Sequence, residues 1–306
     1  MAKLLLVWAL LLTGSAAWAM PPCSVGHIRP DIDADSRDAY FLELLELALH
    51  QTELDFGPCT LDMAPVRMSQ SRAIASLREG NYVDVVWTMT SEARETSLLP
   101  VRVPLLQGLM GVRIPVVRAD DVPHSLSDAT TPDELKAYTV AQGHDWPDTR
   151  ILAANGLQVA TSSSYESLFR MLAHRRVDYV PRSVTEVATE QHLYDAHNLR
   201  PLDGPLIAYY APSYFFVQED DLRLALRLEV GLRRAIEDGS FFELFQHHSA
   251  NRKALDLLEQ AGDRIIWLQN PELPKDTPVA RNLLWYAPVF GHVPEAARPW
   301  HVYDLN

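Results

Sequence analysis

Residues 24–86 read as strand, helix, strand, helix, strand, an order that commits the chain to a largely parallel sheet covered by helices. The strand-like runs are 24–28, 60–66 and 82–86. Between them a helix over 36–51 carries Phe41, Leu44, Leu45 and Ala48 on one face, and a second, over 70–79, stops at Gly80-Asn81. Sheets of this kind hold ligands beyond the carboxyl ends of their strands. Those ends are Arg29-Pro30-Asp31, Arg67-Met68-Ser69 and Trp87-Thr88-Met89-Thr90.

A second α/β unit begins beyond Pro132. A strand over 138–141 leads into the loop Gln142-Gly143-His144-Asp145-Trp146, and Pro147 suits the first turn of a helix ending at Asn155-Gly156. A strand over 157–160 follows, then Ser163-x-x-Glu166 as a capping box for the next helix. The strand over 177–180 ends at Pro181-Arg182-Ser183. Gly108 and Gly111 suit a chain passing between the units, and 205–217 carries it back to a helix over 220–237. From Gly262 the chain is rich in proline and aromatic residues, among them Trp267, Trp285, Tyr286 and Trp300. The organisation expected is a leader over 1–19, a first lobe over 20–109 resumed at 211–262, a second lobe over 110–210, and a C-terminal extension over 263–306.

The leader is a signal peptide by its pattern: Lys3, an apolar run from Leu4 to Leu12, then Ala17-Trp18-Ala19 as the cleavage site. A membrane span needs ~20 apolar residues, which this run does not reach. An exported chain without membrane insertion is expected. Cleavage after Ala19 leaves 26 basic and 40 acidic residues, a net charge of −14. Nucleic acids and anionic lipid surfaces need a basic face, so both are poor partners.

Cys23 and Cys59 are the two cysteines, and each immediately precedes a strand-like run. In an oxidising compartment, neighbouring parallel strands would bring them together as a disulfide. The other possibility, a catalytic thiol, lacks a positioned histidine.

The motif with most chemistry is Trp87-Thr88-Met89-Thr90-Ser91-Glu92-Ala93-Arg94. Where strand turns into helix, free N–H groups, hydroxyls and a guanidinium can converge on an anion. The plainer alternative has Thr90 capping a helix and Arg94 solvated. No H-E-x-x-H, G-x-S-x-G or phosphate-cradling glycine loop occurs, and no cofactor or metal is expected.

On these residues the chain resembles type 2 periplasmic solute-binding proteins of the polar amino-acid group, family 3. The likeness runs from about Cys23 to His248 and includes the Thr90–Arg94 turn, 168–178 and Ala235-Ile236-Glu237-Asp238-Gly239-Ser240-Phe241. Within that group it is similar to a branch marked by Trp146-Pro147-Asp148-Thr149, Asp178-Tyr179-Val180-Pro181-Arg182 and Asn270-Pro271-Glu272-Leu273-Pro274. The resemblance implies a two-lobed type II fold, each lobe a mostly parallel sheet flanked by helices, joined by a two-strand hinge. It implies a monomer that closes on a small molecule and passes it to an ABC permease or a membrane sensor. It makes Arg94 the anchor of a ligand carboxylate, with Thr88 and Thr90 flanking Met89, where the family places a hydroxyl. Ser162, near a helix start in the second lobe, completes the grip.

One departure bears on the ligand. Amino-acid binders place an aspartate after the strand over 177–180 to pair with the ligand ammonium, and this chain has Arg182-Ser183 there. With Arg182 facing the cleft, two guanidinium groups would suit an anion lacking an ammonium; with Arg182 paired to Glu186, it would not meet the ligand. Tyr40, Trp87 and Trp146 are candidates for stacking on a ligand, and Asp31 and His144 for polar contacts. Two other functions stay open. An enzyme on the same fold would need an acid–base pair from Asp145, His144 and Glu186. An interaction protein with a vestigial cleft would use the aromatic tail.

Overall fold

The computed structural model describes residues 23–30, 36–120, 124–187, 189–261 and 264–299. The expected signal peptide, Asp31 and Trp300 lie outside them. No helix of the described residues is long and apolar enough to cross a membrane.

Twelve strands are described. Those of the first half are β1 (Cys23–His27), β2 (Cys59–Met63), β3 (Val85–Met89), β4 (Leu99–Val101), β5 (Val112–Arg118) and β6 (Thr139–Gly143). They continue with β7 (Gln158–Ser162), β8 (Val180–Ser183), β9 (Leu199–Pro201), β10 (Leu206–Ala208), β11 (Ser213–Val217) and β12 (Ile265–Trp267). The first lobe is a sheet ordered β2-β1-β3-β11-β4. As the strand–helix alternation requires, β1 pairs in parallel with β2 and β3. β11 returns from the second lobe antiparallel to both β3 and β4.

The second lobe contains the sheet β12-β10-β5-β8, with β9 on β5, and the parallel pair β6-β7. A bridge from Val140 to Tyr179 sets β6 beside the start of β8. Two passages of chain join the lobes, one from β4 to β5 and one from β10 to β11. They lie against each other, with Leu105 N donating to Ser213 O at 3.0 Å and Tyr209 N to Gly111 O at 3.1 Å. A Cβ at Gly111 would collide with the Tyr209 carbonyl, so glycine lets the two passages touch.

The helix Ser36–His50 covers the first sheet, burying Tyr40, Phe41, Leu44, Leu45, Ala48 and Leu49. Against it packs the helix Leu222–Glu237, which buries Leu224, Leu228, Leu232 and Ala235. Gly231 lies directly on the Ala48 carbonyl, where any side chain would collide. Each large apolar side chain enclosed here contributes roughly 1.5–3 kcal/mol through burial.

Several boundaries differ from the sequence expectation; β8 spans Val180–Ser183, so Arg182 and Ser183 lie within the strand and not after it. β3 extends to Met89, because β11 supplies partners for Thr88 and Met89 that local sequence does not reveal. The capping box at Ser163 does not form: Ser164 is the N-cap of the helix Tyr165–Ala173, without a side-chain cap bond.

Cys23 and Cys59 are register partners of β1 and β2 and are joined as a disulfide, with Cα atoms 4.5 Å apart. The crosslink closes a sequence separation of 36 residues, so reduction is expected to cost about 2–4 kcal/mol of stability. Urea unfolding of oxidised protein and of Cys23→Ala/Cys59→Ala measures this. Two free thiols in protein taken from the periplasm would refute the bond.

Candidate functional site

A cleft of about 780 Å³ opens between the lobes. The first lobe lines it with the end of β3, with Arg94 from the helix Glu92–Glu95, and with Ser69, Gln70 and Ser71 around the start of the helix Gln70–Arg78. The second lobe contributes the loop Gly143 to Asp148, then Ser162, Ser163 and Tyr165, and finally Arg182 and Glu186.

Arg94 is held by neutral groups. Its Nη1 donates to Thr88 Oγ1 at 2.7 Å and to the Met89 carbonyl at 2.6 Å, and its Nη2 to Gln70 Oε1 at 2.8 Å. No ion pair to Arg94 occurs among the described residues. Burial presses on the charged form and moves its pKa down to about 10, against the pull of Asp148 and Asp145 across the cleft. The group remains cationic at neutral pH. It is therefore a half-buried positive charge without an ion-pair partner among the described residues, facing a cavity.

The other cationic groups of the wall are compensated. Arg113, set between apolar residues near the start of β5, pairs with Asp148 and, at 3.2 Å, with Glu186. Burial opposes its charge, yet Asp148, Tyr209 and Glu186 more than offset that and raise its pKa. Arg182 is buried and clasped by Glu190 at 2.6 Å and Glu186 at 2.9 Å. Its guanidinium lies over the rings of Trp146 and Tyr165, at 5.1 and 5.3 Å. Desolvation works against Arg182 too, but the two glutamates hold its pKa well above the ordinary arginine value. Tyr165 and Tyr194 both donate to Glu190. Burial raises the pKa of both phenols, and the Glu190 charge adds to it.

Of the two alternatives for Arg182, these contacts match the one in which it pairs with Glu186, and they leave it no free face with which to grip an anion. Three carboxylates, Asp148, Glu186 and Glu190, meet two guanidinium groups, so the second-lobe wall is net acidic. The argument against a ligand ammonium falls with the other alternative.

Of the residues expected at the site, Trp87, Thr88, Arg94, His144, Trp146, Ser162 and Arg182 line the cleft. Trp87 is fixed there by its Nε1–H to Asp38 at 3.0 Å and by stacking on Phe41. Three others lie elsewhere. Thr90 Oγ1 donates to Glu95 at 2.6 Å instead of facing a ligand. Ser183 Oγ donates to the Leu109 carbonyl at 2.9 Å. Tyr40 is a core side chain whose hydroxyl bonds the Leu105 carbonyl at 2.6 Å, its ring packed on Phe41, Phe245 and His248.

Sequence reasoning missed Gln70, Ser71, Arg113 and Asp148. Arg113, between Val112 and Ile114 in β5, was a readable signal; its partner Asp148 was hidden in a helix first turn, where acid is ordinary.

Of the groups considered for acid–base work, Asp145 and His144 lie together, while Glu186 is tied up elsewhere. Asp145 accepts from Ser71 of the other lobe and stands 3.7 Å from His144 Nδ1, so the carboxylate lies between hydroxyl and imidazole. Glu186 is engaged by Arg113, Arg182 and the Ser183 N–H. Among the described residues no three His, Cys, Asp or Glu side chains form a metal site.

Solved structures share this fold. An ancestral arginine-binding protein bound to arginine matches with a TM-score of 0.52 at 15% identity, over 69% of this chain and 87% of its own. An arginine third transport system periplasmic binding protein from Legionella pneumophila gives 0.52 at 14%, over 68% and 88%. A periplasmic His/Glu/Gln/Arg/opine family-binding protein from Silicibacter pomeroyi in complex with lysine gives 0.51 at 14%, over 69% and 86%. No family model matches the chain, and no curated protein matches its sequence. The likeness establishes the two-lobed periplasmic-binding-protein fold.

Proposed function

We propose that the chain is an exported solute-binding protein whose lobes close on a small carboxylate-bearing metabolite in the periplasm. It would deliver that metabolite to an ABC permease or a membrane sensor. The observation that carries the reading is Arg94, a guanidinium facing an interlobe cavity with hydroxyl, carbonyl and amide acceptors but no carboxylate partner. A ligand carboxylate would supply the missing charge and could take a bidentate contact. The net-acidic wall opposite suits a donor or cationic group at the other end of the ligand, so amino-acid-like zwitterions rank ahead of simple dianions. Trp87 and Trp146, one from each lobe, offer apolar faces for the body of such a molecule. Binding by both lobes would favour the closed state.

A thermal-shift screen of the mature protein against amino acids, other zwitterions, dicarboxylates and neutral metabolites tests this. At one hundred times Kd, a ligand adds ~2.7 kcal/mol of stability, worth roughly 5 °C in a chain of this size. Stabilisation by uncharged compounds alone, with none from any carboxylate, would overturn the reading.

A further inference from the structure

The segment from Ser249 to Ala297 touches both lobes and both passages of chain between them. Its helix Ser249–Ala261 packs on the helix Ser36–His50 of the first lobe and on Val184–Val187 of the second. β12 then adds to the second sheet, with Leu206, Ile207 and Ala208 opposite Ile265, Ile266 and Trp267. Beyond β12, Asn155 exchanges two hydrogen bonds with Gln269, at 2.8 and 3.1 Å. Arg150 pairs with Glu272 at 2.9 Å.

The same segment caps each interlobe passage with one backbone hydrogen bond. Tyr286 N donates to the Gln107 carbonyl at 2.9 Å, and Asn270 Nδ2 to the Tyr210 carbonyl at 2.8 Å. Gln107 and Gly108 both have positive φ, 48° and 85°, which marks the sharp turn of the first passage. The rings of Trp285 and Phe290 sit directly on Gly108, where a Cβ would come within 2.7 Å of Phe290. Tyr210, on the second passage, packs on the same two rings, with centroids 4.8 and 5.2 Å away. Trp285 and Phe290 are thus internal packing for the hinge and not an outward surface for a partner.

Opening two lobes requires φ/ψ changes in a few crossing residues. Here those residues are tied by a segment that is itself anchored on both sides, so it cannot travel with one lobe alone. We propose that residues 249–297 act as a strap across the back of the hinge that sets the interlobe angle and resists opening in the absence of ligand.

The test uses ligand-free mature protein, with small-angle scattering for the interlobe arrangement and amide exchange for the hinge. Wild type is expected to scatter as the closed arrangement, with slow exchange over 105–112 and 207–212. Trp285→Ala/Phe290→Ala should enlarge the radius of gyration and speed exchange in those two stretches by about tenfold or more. Protection in β1 and β3 should stay as in wild type. Asn270→Ala removes the tie to the Tyr210 carbonyl together with the bond from Glu272 N to Asn270 Oδ1 inside the segment, and leaves the rings on Gly108 in place; it should speed exchange at 207–212 and not at 105–112, and it decides the matter if the double variant fails to fold. A wild-type protein already open in solution, or folded variants with unchanged scattering and hinge exchange, would overturn the strap.

Discussion

Replacing Arg182 with alanine is expected to cost about 3–5 kcal/mol of folding stability, the usual penalty for breaking a buried ion pair by removing one partner. The side chain is buried and holds Glu186 and Glu190 together. Glu186 would retain Arg113, whereas Glu190 would keep only hydroxyl donors, those of Tyr165 and Tyr194. Two phenols do not balance a desolvated carboxylate. The loss should therefore trace to Glu190, and the double variant Arg182→Met/Glu190→Leu should recover much of it, because an apolar pair leaves no uncompensated charge. Urea unfolding of wild type, Arg182→Met, Glu190→Leu and the double variant, a closed cycle, gives the coupling directly, with Arg182→Ala measured beside it. A single-variant change within about 0.5 kcal/mol, the range of ordinary surface substitutions, would remove Arg182 from any structural role.

The Arg182 contacts also show where sequence stops being informative. Glu186 is four residues from Arg182 and was a readable partner. Glu190 reaches the same guanidinium only because the short helix Val184–Val187 ends and turns it back, which no periodicity announces. The first three strands were legible because alternation, glycine stops and the paired cysteines are local signals. The far end of β3 was not, since its partner strand β11 lies more than a hundred residues away. Tyr40 was a candidate for stacking on a ligand as an aromatic, yet it shares a face with Phe41 and Leu44 and joins the core. The tail motif 270–274 marked a resemblance and not a contact, and the place of Trp285 and Phe290 on Gly108 depends on a hinge residue far away in sequence.

Arg94→Ala should separate binding from stability. Truncating one partner of a buried, hydrogen-bonded charge contact costs roughly 2–5 kcal/mol of affinity, so binding of a carboxylate ligand should weaken by more than tenfold. The fold should not weaken in parallel. In the ligand-free protein Arg94 is a half-buried cation whose acceptors are the Thr88 hydroxyl, the Met89 carbonyl and the Gln70 amide oxygen, with no bonded carboxylate to offset its partial burial. Its removal leaves those acceptors at the cleft, where water can reach them. The ligand-free melting temperature of the variant is thus expected to equal or exceed that of wild type, as where a site is kept at the expense of stability. Arg94→Lys is the informative companion, because it keeps the charge and loses the fork that fits a carboxylate. It should bind with intermediate affinity. Calorimetry with the ligand found in the screen, beside a melting curve for each variant, measures both quantities. Undiminished affinity in Arg94→Ala would place the ligand elsewhere; a large drop in the melting temperature would instead make Arg94 a structural ion, held by its three acceptors for the sake of the β3 turn.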